Sequence, residues 1–168
     1  MAKSKQICER FFAEFDLSQI RFLHLFLAIQ RNKEIETGLI ATHLWLNFYG
    51  VKIVVPKVNL ETDTLETVEL NSDSKFALNA WQIPEPIANK FIDAQLIDVV
   101  LVPLLCVDER GFRVGYGKGF YDKFLPNCRA DCVKIGLSYF PPIPEIVDTN
   151  EFDVKLDYCL TPKRNWKF

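Results

Sequence analysis

At 168 residues, with 49% hydrophobic and 25% charged side chains, the chain has the make-up of a globule with a sizeable core, and its length suits one domain over 1–168. A net charge of −2 excludes a general nucleic-acid or membrane-surface binder, so any cationic site has to be local. The longest unbroken apolar run, Val99 to Val107, is too short to cross a bilayer.

The opening residues, Met1-Ala2-Lys3-Ser4-Lys5, lead into Cys8-Glu9-Arg10 and not into an apolar signal core. The expected compartment is therefore the cytoplasm. Lys5 to Phe15 carries Ile7, Phe11, Phe12 and Phe15 at helical spacing. Arg21 to Ile29 reads as a buried strand. Thr37 to Phe48 places Ile40, Leu44 and Phe48 on one face of a helix that Gly50 stops. Lys52 to Val55 is a strand ended by Pro56, and Leu65 to Leu70 an edge strand. Pro84 and Pro86 keep Trp81 to Pro86 out of a helix. Ala88 to Ala94 is expected as a short helix. Leu96 to Val102 is the most apolar strand. Phe120 to Leu125 opens a helix closed by Pro126. Val133 to Leu137 and Tyr158 to Leu160 complete the strands. Alternating helices and doubly apolar strands predict an α/β, Rossmann-like three-layer sandwich with a mainly parallel sheet.

Cys8, Cys106, Cys128, Cys132 and Cys159 are odd in number, which favours reduced thiols. Cys128 and Cys132 are spaced to share a helix face. A zinc site would need two further ligands, with only His24 and His43 to draw on. Idle thiols are the expectation.

The chemistry-bearing segment is Gly115-Tyr116-Gly117-Lys118-Gly119-Phe120-Tyr121-Asp122. Glycines at alternate positions let backbone N–H groups converge on an anion and let a ligand approach closely. Lys118 adds a mobile positive charge and Asp122 a hard-cation ligand. Placed after a strand and before a helix, the loop reads as a phosphate cradle beyond the carboxyl edge of the sheet. It is not a dinucleotide fingerprint, because Phe120 stands where the third glycine belongs. It is not a Walker loop, because Gly119 and not Ser or Thr follows Lys118, and Phe112 occupies the first glycine position. The kinase glycine loop fails at Phe120 as well.

The run from Asp108 to Leu125 resembles the signature of the 5-formyltetrahydrofolate cyclo-ligase family. Phe26-Leu27, Glu34-Ile35-Glu36-Thr37, Lys52 to Pro56, Trp81 to Pro86, Ile97-Asp98 and Asn150 to Asp153 resemble further family segments. The resemblance implies closure of 5-formyltetrahydrofolate to 5,10-methenyltetrahydrofolate with ATP and Mg²⁺, through a phosphorylated formyl group. It implies that Arg113 and Gly115 to Tyr121 (Gly115, Tyr116, Gly117, Lys118, Gly119, Phe120, Tyr121) hold the ATP phosphates. Lys118 and Arg113 would bear the charge of the transferring group. Leu27, Glu34 and Trp81, with Tyr116 to Phe120, would hold the folate. Asp122 and Asp153 would be the magnesium carboxylates. A monomer acting without nucleic acid or membrane is expected.

Plainer readings stand beside these. Lys118 is a solvated loop lysine, Arg113 a partner of Asp108 or Glu109, Asp122 a helix-start carboxylate and Trp81 a core plug. The step from Leu27 to Glu34 is about two residues longer than the family pattern, which leaves Glu36 as a rival. The family's long N-terminal helix, with a Lys and an Arg one turn apart, looks largely absent ahead of Arg21. Either translation starts upstream of this Met1, or other cations such as Lys57 or Arg113 substitute, or ATP affinity is weak. A non-catalytic folate or nucleotide binder on the same frame is the alternative function, and an ATP-linked enzyme for another formyl or carboxyl compound is a third.

Overall fold

A computed structural model describes residues 2–79, 83–87 and 90–168. Its frame is a seven-stranded sheet in the order β11-β10-β9-β6-β1-β2-β3. These strands are β1 (Phe22–His24), β2 (Lys52–Asn59), β3 (Thr64–Leu70), β6 (Val99–Val102), β9 (Val133–Leu137), β10 (Tyr158–Leu160) and β11 (Asn165–Lys167). The five inner strands run parallel, and β3 and β11 close the edges antiparallel. The α/β class with a mainly parallel sheet is therefore as expected. Smaller antiparallel pairs stand outside it: β4 (Phe76–Leu78) with β5 (Pro84–Pro86), and β7 (Cys106–Val107) with β8 (Arg113–Val114).

Strand alternation assigns each side chain to one of two cores. Val99 and Leu101 of β6 pack with Leu23, Ile53, Val55, Ile135 and Leu137 on one face. Helices α1 (Ala2–Glu14) and α2 (Gly38–Asn47) cover that face, burying Ile7 and Phe11, and Ile40 and Leu44. Val100 and Val102 point the other way, toward Val54, Phe124, Leu125 and Cys159. That layer is thin, since α3 (Phe120–Phe124) has five residues. Burying each such aliphatic side chain contributes roughly 1.5–3 kcal/mol, so a strand like β6, buried at every position, anchors the sheet.

Several expectations change. The buried strand from Arg21 to Ile29 is a strand only over Phe22–His24; the rest of that apolar run leaves the sheet as a loop. Pro56 does not end β2, which continues to Asn59. Beyond Val54 no residue of β2 pairs with β1, so Pro56 lies where β2 has a neighbour on one side only, and there a missing N–H is tolerated. The expected helix at Ala88 to Ala94 is absent over its described residues. Lys90 and Ile92 run extended beside β3, their backbones bonded to Glu69 and Thr67. Only Ala94–Leu96 winds into a 3-10 turn, capped by Asp93. The helical spacing over Lys5 to Phe15 is realised as the 13-residue α1. The glycine loop follows the β7–β8 hairpin rather than β6 directly. Among the described residues no helix is long and apolar enough to cross a membrane.

Chain order places the site. The chain runs from β1 through α2 to β2, then returns to the opposite side of β1 as β6. The order thus reverses between β1 and β6, and a crevice opens beyond their carboxyl ends. His24 ends β1 and Val102 ends β6. Phe26, Leu27 and Pro103 follow them into the crevice.

Candidate active site

The crevice is a cavity of about 580 Å³. Four segments meet there: 26–34 after β1, the β2–β3 ribbon with the β5 strap, the loop 113–122, and the loop 146–153. Every expected site residue among the described ones lines it, namely Leu27, Glu34, Arg113, Gly115 to Tyr121, Asp122 and Asp153. Trp81 lies outside the described residues. Glu36 does not line the cavity. Its carboxylate accepts from its own helix start, Gly38 N–H, at 3.2 Å. A second cavity of about 380 Å³ adjoins, sharing Phe26, Asn32, Glu34, Pro103 and Tyr116 with the first.

Gly117 (φ 82°) and Gly119 (φ 65°) take the left-handed conformation that glycine adopts without strain. A Cβ added at Gly115, Gly117 or Gly119 would meet nothing within 4 Å. The protein leaves the space over this backbone open. Gly119 starts α3, and Lys123 N–H bonds back to its carbonyl at 3.0 Å. A five-residue helix carries little macrodipole, so the expected helix contribution is small and the positive charge is borne by side chains. Lys118 is exposed at the cavity and forms no ion pair among the described residues. Lys123 instead bridges to Asp63 in the β2–β3 turn at 2.7 Å, fastening α3 to that ribbon.

Arg113 is held beneath the loop. Its guanidinium side chain is 4% exposed and donates to Asp122 Oδ1 at 2.8 Å and to the Val154 carbonyl. The same Oδ1 accepts Val154 N–H at 3.1 Å. Asp122 is thus both a start-of-helix carboxylate and the partner of Arg113. Asp108 and Glu109 are not partners of Arg113. Asp108 is buried and accepts from Arg110 N–H, Arg110 Nε, Phe112 N–H and Ile146 N–H. Burial alone would raise its carboxyl pKa, but these bonds hold it below the usual carboxylate range. This hub ties the β7–β8 hairpin to Ile146, which lines the cavity. Asp153 Oδ2 accepts Asn150 N–H at 2.7 Å, closing a short turn at the cavity wall.

Glu34 stands across the cavity. Its Oε2 accepts Ile29 N–H at 2.7 Å, which fixes the loop that leaves β1. Its own carbonyl accepts from Tyr139 O–H at 3.1 Å. Burial and the Glu34 carboxylate push the Tyr116 phenol up to about 12. Burial, then Glu34, also raises the Tyr121 phenol, with Arg113 opposing. The Tyr121 hydroxyl thus lies in the fields of both Glu34 and Arg113. It is buried and has no hydrogen-bond partner among the described residues.

A sequence model of the 5-formyltetrahydrofolate cyclo-ligase family matches residues 1–162. The chain belongs to this family. It is 23% identical to the mouse 5-formyltetrahydrofolate cyclo-ligase over 171 aligned residues, covering 95% of the chain and 82% of the relative. The Escherichia coli K12 enzyme of that name is 26% identical, over 80% of the chain and 75% of the relative. In fold the chain is similar to the Aquifex aeolicus 5,10-methenyltetrahydrofolate synthetase, with a TM-score of 0.79 at 20% identity, over 98% of this chain and 80% of that one. The Mycoplasma pneumoniae synthetase gives 0.74 at 21% identity, over 96% and 85%.

Asn79, Asp148 and Thr149 also line the cavity and carry no sequence signal. Asp148 and Thr149 sit in a loop with no pattern of its own. Asn79 and Glu85 belong to the β4–β5 strap, where Asn79 Nδ2 donates to Glu85 Oε1 at 2.8 Å and Val58 N–H to the same oxygen at 3.1 Å. Cys128 and Cys132 share no helix; they flank the turn between α3 and β9, buried in one core. All five cysteines are free. Among the described residues no three His, Cys, Asp or Glu side chains cluster as a metal site.

Proposed function

We propose that this chain closes 5-formyltetrahydrofolate to 5,10-methenyltetrahydrofolate at the cost of one ATP. One observation carries the reading: the open glycine backbone, Lys118 and Arg113 line the same cavity as Leu27 and Glu34. A phosphate cradle and a polar anchor for a flat ring thus meet at a topological switch point. The adjoining second cavity gives room for two substrates of this size.

The formyl oxygen of an amide is a poor leaving group. In the proposed first step it attacks the γ-phosphorus and the bond to ADP breaks. The neighbouring secondary amine nitrogen then attacks the formyl carbon, its proton is lost, and the carbon–oxygen bond breaks as phosphate departs. No side-chain nucleophile is needed, so positioning and charge stabilisation do the catalysis. Lys118 and Arg113 take up the charge on the transferring group, and the N–H groups of Gly115 to Phe120, with Tyr121, hold the phosphates. Glu34 accepts hydrogen bonds from the pterin's amino and ring N–H groups, the pairing a carboxylate makes in bidentate fashion. Leu27 packs on the ring.

Magnesium suits the donor set. Asp122 Oδ2 and Asp153 Oδ1 have no hydrogen-bond partner among the described residues, and both side chains line the cavity. A cation that takes one or two carboxylates plus phosphate oxygens and water needs no larger cluster. When bound it would offset phosphate charge.

Neither Lys3 nor Lys5 of α1 lines the first cavity. Lys3 Nζ sits 5.2 Å from the Phe140 ring centre, and Lys5 pairs with Glu9 at 3.7 Å. Lys57 rests over Phe91 at 5.6 Å. This supports one alternative, a reduced-folate binder without turnover. Incubating the purified chain with ATP, Mg²⁺ and 5-formyltetrahydrofolate separates the two. The proposal expects methenyl product and ADP in equal amounts. Folate binding with no ATP consumed favours the alternative.

A further inference from the structure

Nothing above uses the chemistry of His24, which packs against the cavity-lining Tyr121. His24 ends β1, is 0% exposed, and presents its ring to the thin α3 layer. The ring lies 5.2 Å from Phe124 and meets Tyr121 edge to face at 5.9 Å. Neither ring nitrogen has a hydrogen-bond partner among the described residues. Burial keeps the ring neutral, so it holds one N–H donor and one acceptor. An apolar residue would fill this position without leaving polar atoms unsatisfied. The nearest aromatic neighbour on the cavity side, Tyr121, is in the same state: its hydroxyl is buried, unpartnered, and at the cavity wall.

Two adjacent buried polar groups without partners are a pair awaiting a third. We propose that His24 is a positioning residue for Tyr121. On ligand binding the His24 N–H donates to the Tyr121 oxygen, and this turns the phenolic O–H into the cavity. There it donates to an oxygen of the phosphoryl group being passed to the formyl oxygen. Tyr121 lines the same cavity as Glu34 and Arg113, the residues assigned above to the folate and phosphate ends of the site. This inference rests on the proposed reaction for its ligand. The relay itself lies in this chain's own residues and involves no bond making or breaking at His24.

The test is His24→Leu, Tyr121→Phe and the double variant, read by kcat, KM and melting temperature. His24→Leu removes unsatisfied buried polar atoms, so its melting temperature should stay level or rise. Its kcat should fall by about tenfold, the worth of one hydrogen bond made in the transition state, with KM for ATP little changed. The double variant should be no slower than Tyr121→Phe alone. A purely structural His24 would leave kcat at the wild-type value in a stable His24→Leu protein, and that result overturns the proposal. A second reading is independent of turnover. In ¹⁵N-labelled wild type, the His24 ring nitrogen signals should move when 5-formyltetrahydrofolate and ADP are added together, and should move less in Tyr121→Phe. Unmoved signals in a protein that binds both ligands also overturn it. Wild type that binds without turning over refutes the proposed reaction alone.

Discussion

Arg113 and Asp122 are locked together 2.8 Å apart beneath the glycine loop, the guanidinium side chain 4% and the carboxylate side chain 30% exposed. One residue leaves β8 and the other sits in the first turn of α3. The pair therefore clamps both ends of the loop, and the shared Val154 backbone adds a third anchor. Removing one partner strands the other.

Asp122→Asn should leave Arg113 without its counter-charge and lower stability by about 2 kcal/mol, the scale of a hydrogen bond to a charged group. The partial exposure of Asp122 keeps this below the loss seen for a fully buried pair. Turnover should fall much further, by about 100-fold or more, as for loss of a preorganised charge-stabilising group. Thermal melting and initial rates, measured on one preparation, separate the two effects.

Lys118→Met should behave differently. The side chain is exposed and unpaired among the described residues, so stability should move by less than about 0.5 kcal/mol. Turnover should drop by about 100-fold. A rate loss matched by an equal stability loss would contradict the assigned role.

The three glycines divide by backbone. Gly117→Ala forces an L-residue to φ 82° and should cost roughly 1–2 kcal/mol. Gly115 is not in the left-handed region and its added methyl meets no protein atom. Gly115→Ala should therefore fold as well as wild type. A raised KM for ATP in that variant would report a ligand lying directly on the backbone, because nothing else fills that space.

Acid stability should carry two separate signatures. Burial holds the His24 imidazole neutral, with its pKa pushed down from 6.5 to about 3. Between those values the unfolded chain binds one more proton than the native one. Stability therefore falls as pH drops through that window, by about 1.4 kcal/mol per pH unit. His24→Leu should remove this slope. Asp108 acts lower. Its folded pKa is below the ordinary carboxylate value, so its contribution is present above about pH 4 and lost as pH falls through the depressed value. Melting temperature followed over pH for wild type, His24→Leu and Asp108→Asn checks both.

How far the sequence revealed this arrangement varies by element. β9 and β10 were legible to the residue, because short apolar runs bounded by polar turns have one reading. The segment after β1 was not. Leu25 to Ile29 is as apolar as a strand, yet its apolar residues pack beneath and line the crevice beyond the sheet, and hydrophobicity alone does not mark where pairing stops. The 90–92 segment read as helical because its hydrogen-bond partners, Thr67 and Glu69, lie far away in sequence. In the site, the glycine loop announced itself because its residue types serve no packing need. Choosing Glu34 over Glu36 for the cavity wall required the fold, since both carboxylates sit in one short motif. His24 gave no signal at all, as a lone histidine in an apolar strand reads as core.

In the proposed reaction the glycine loop and Glu34 serve one pair of substrates in one cavity. The most direct measurement follows the long-wavelength absorbance of methenyltetrahydrofolate as purified protein meets 5-formyltetrahydrofolate, ATP and Mg²⁺. Product should appear only with all three present, at one ADP per product, and the signal should be lost in Lys118→Met. Folded protein that binds both substrates at saturation and yields no product would contradict the proposed reaction.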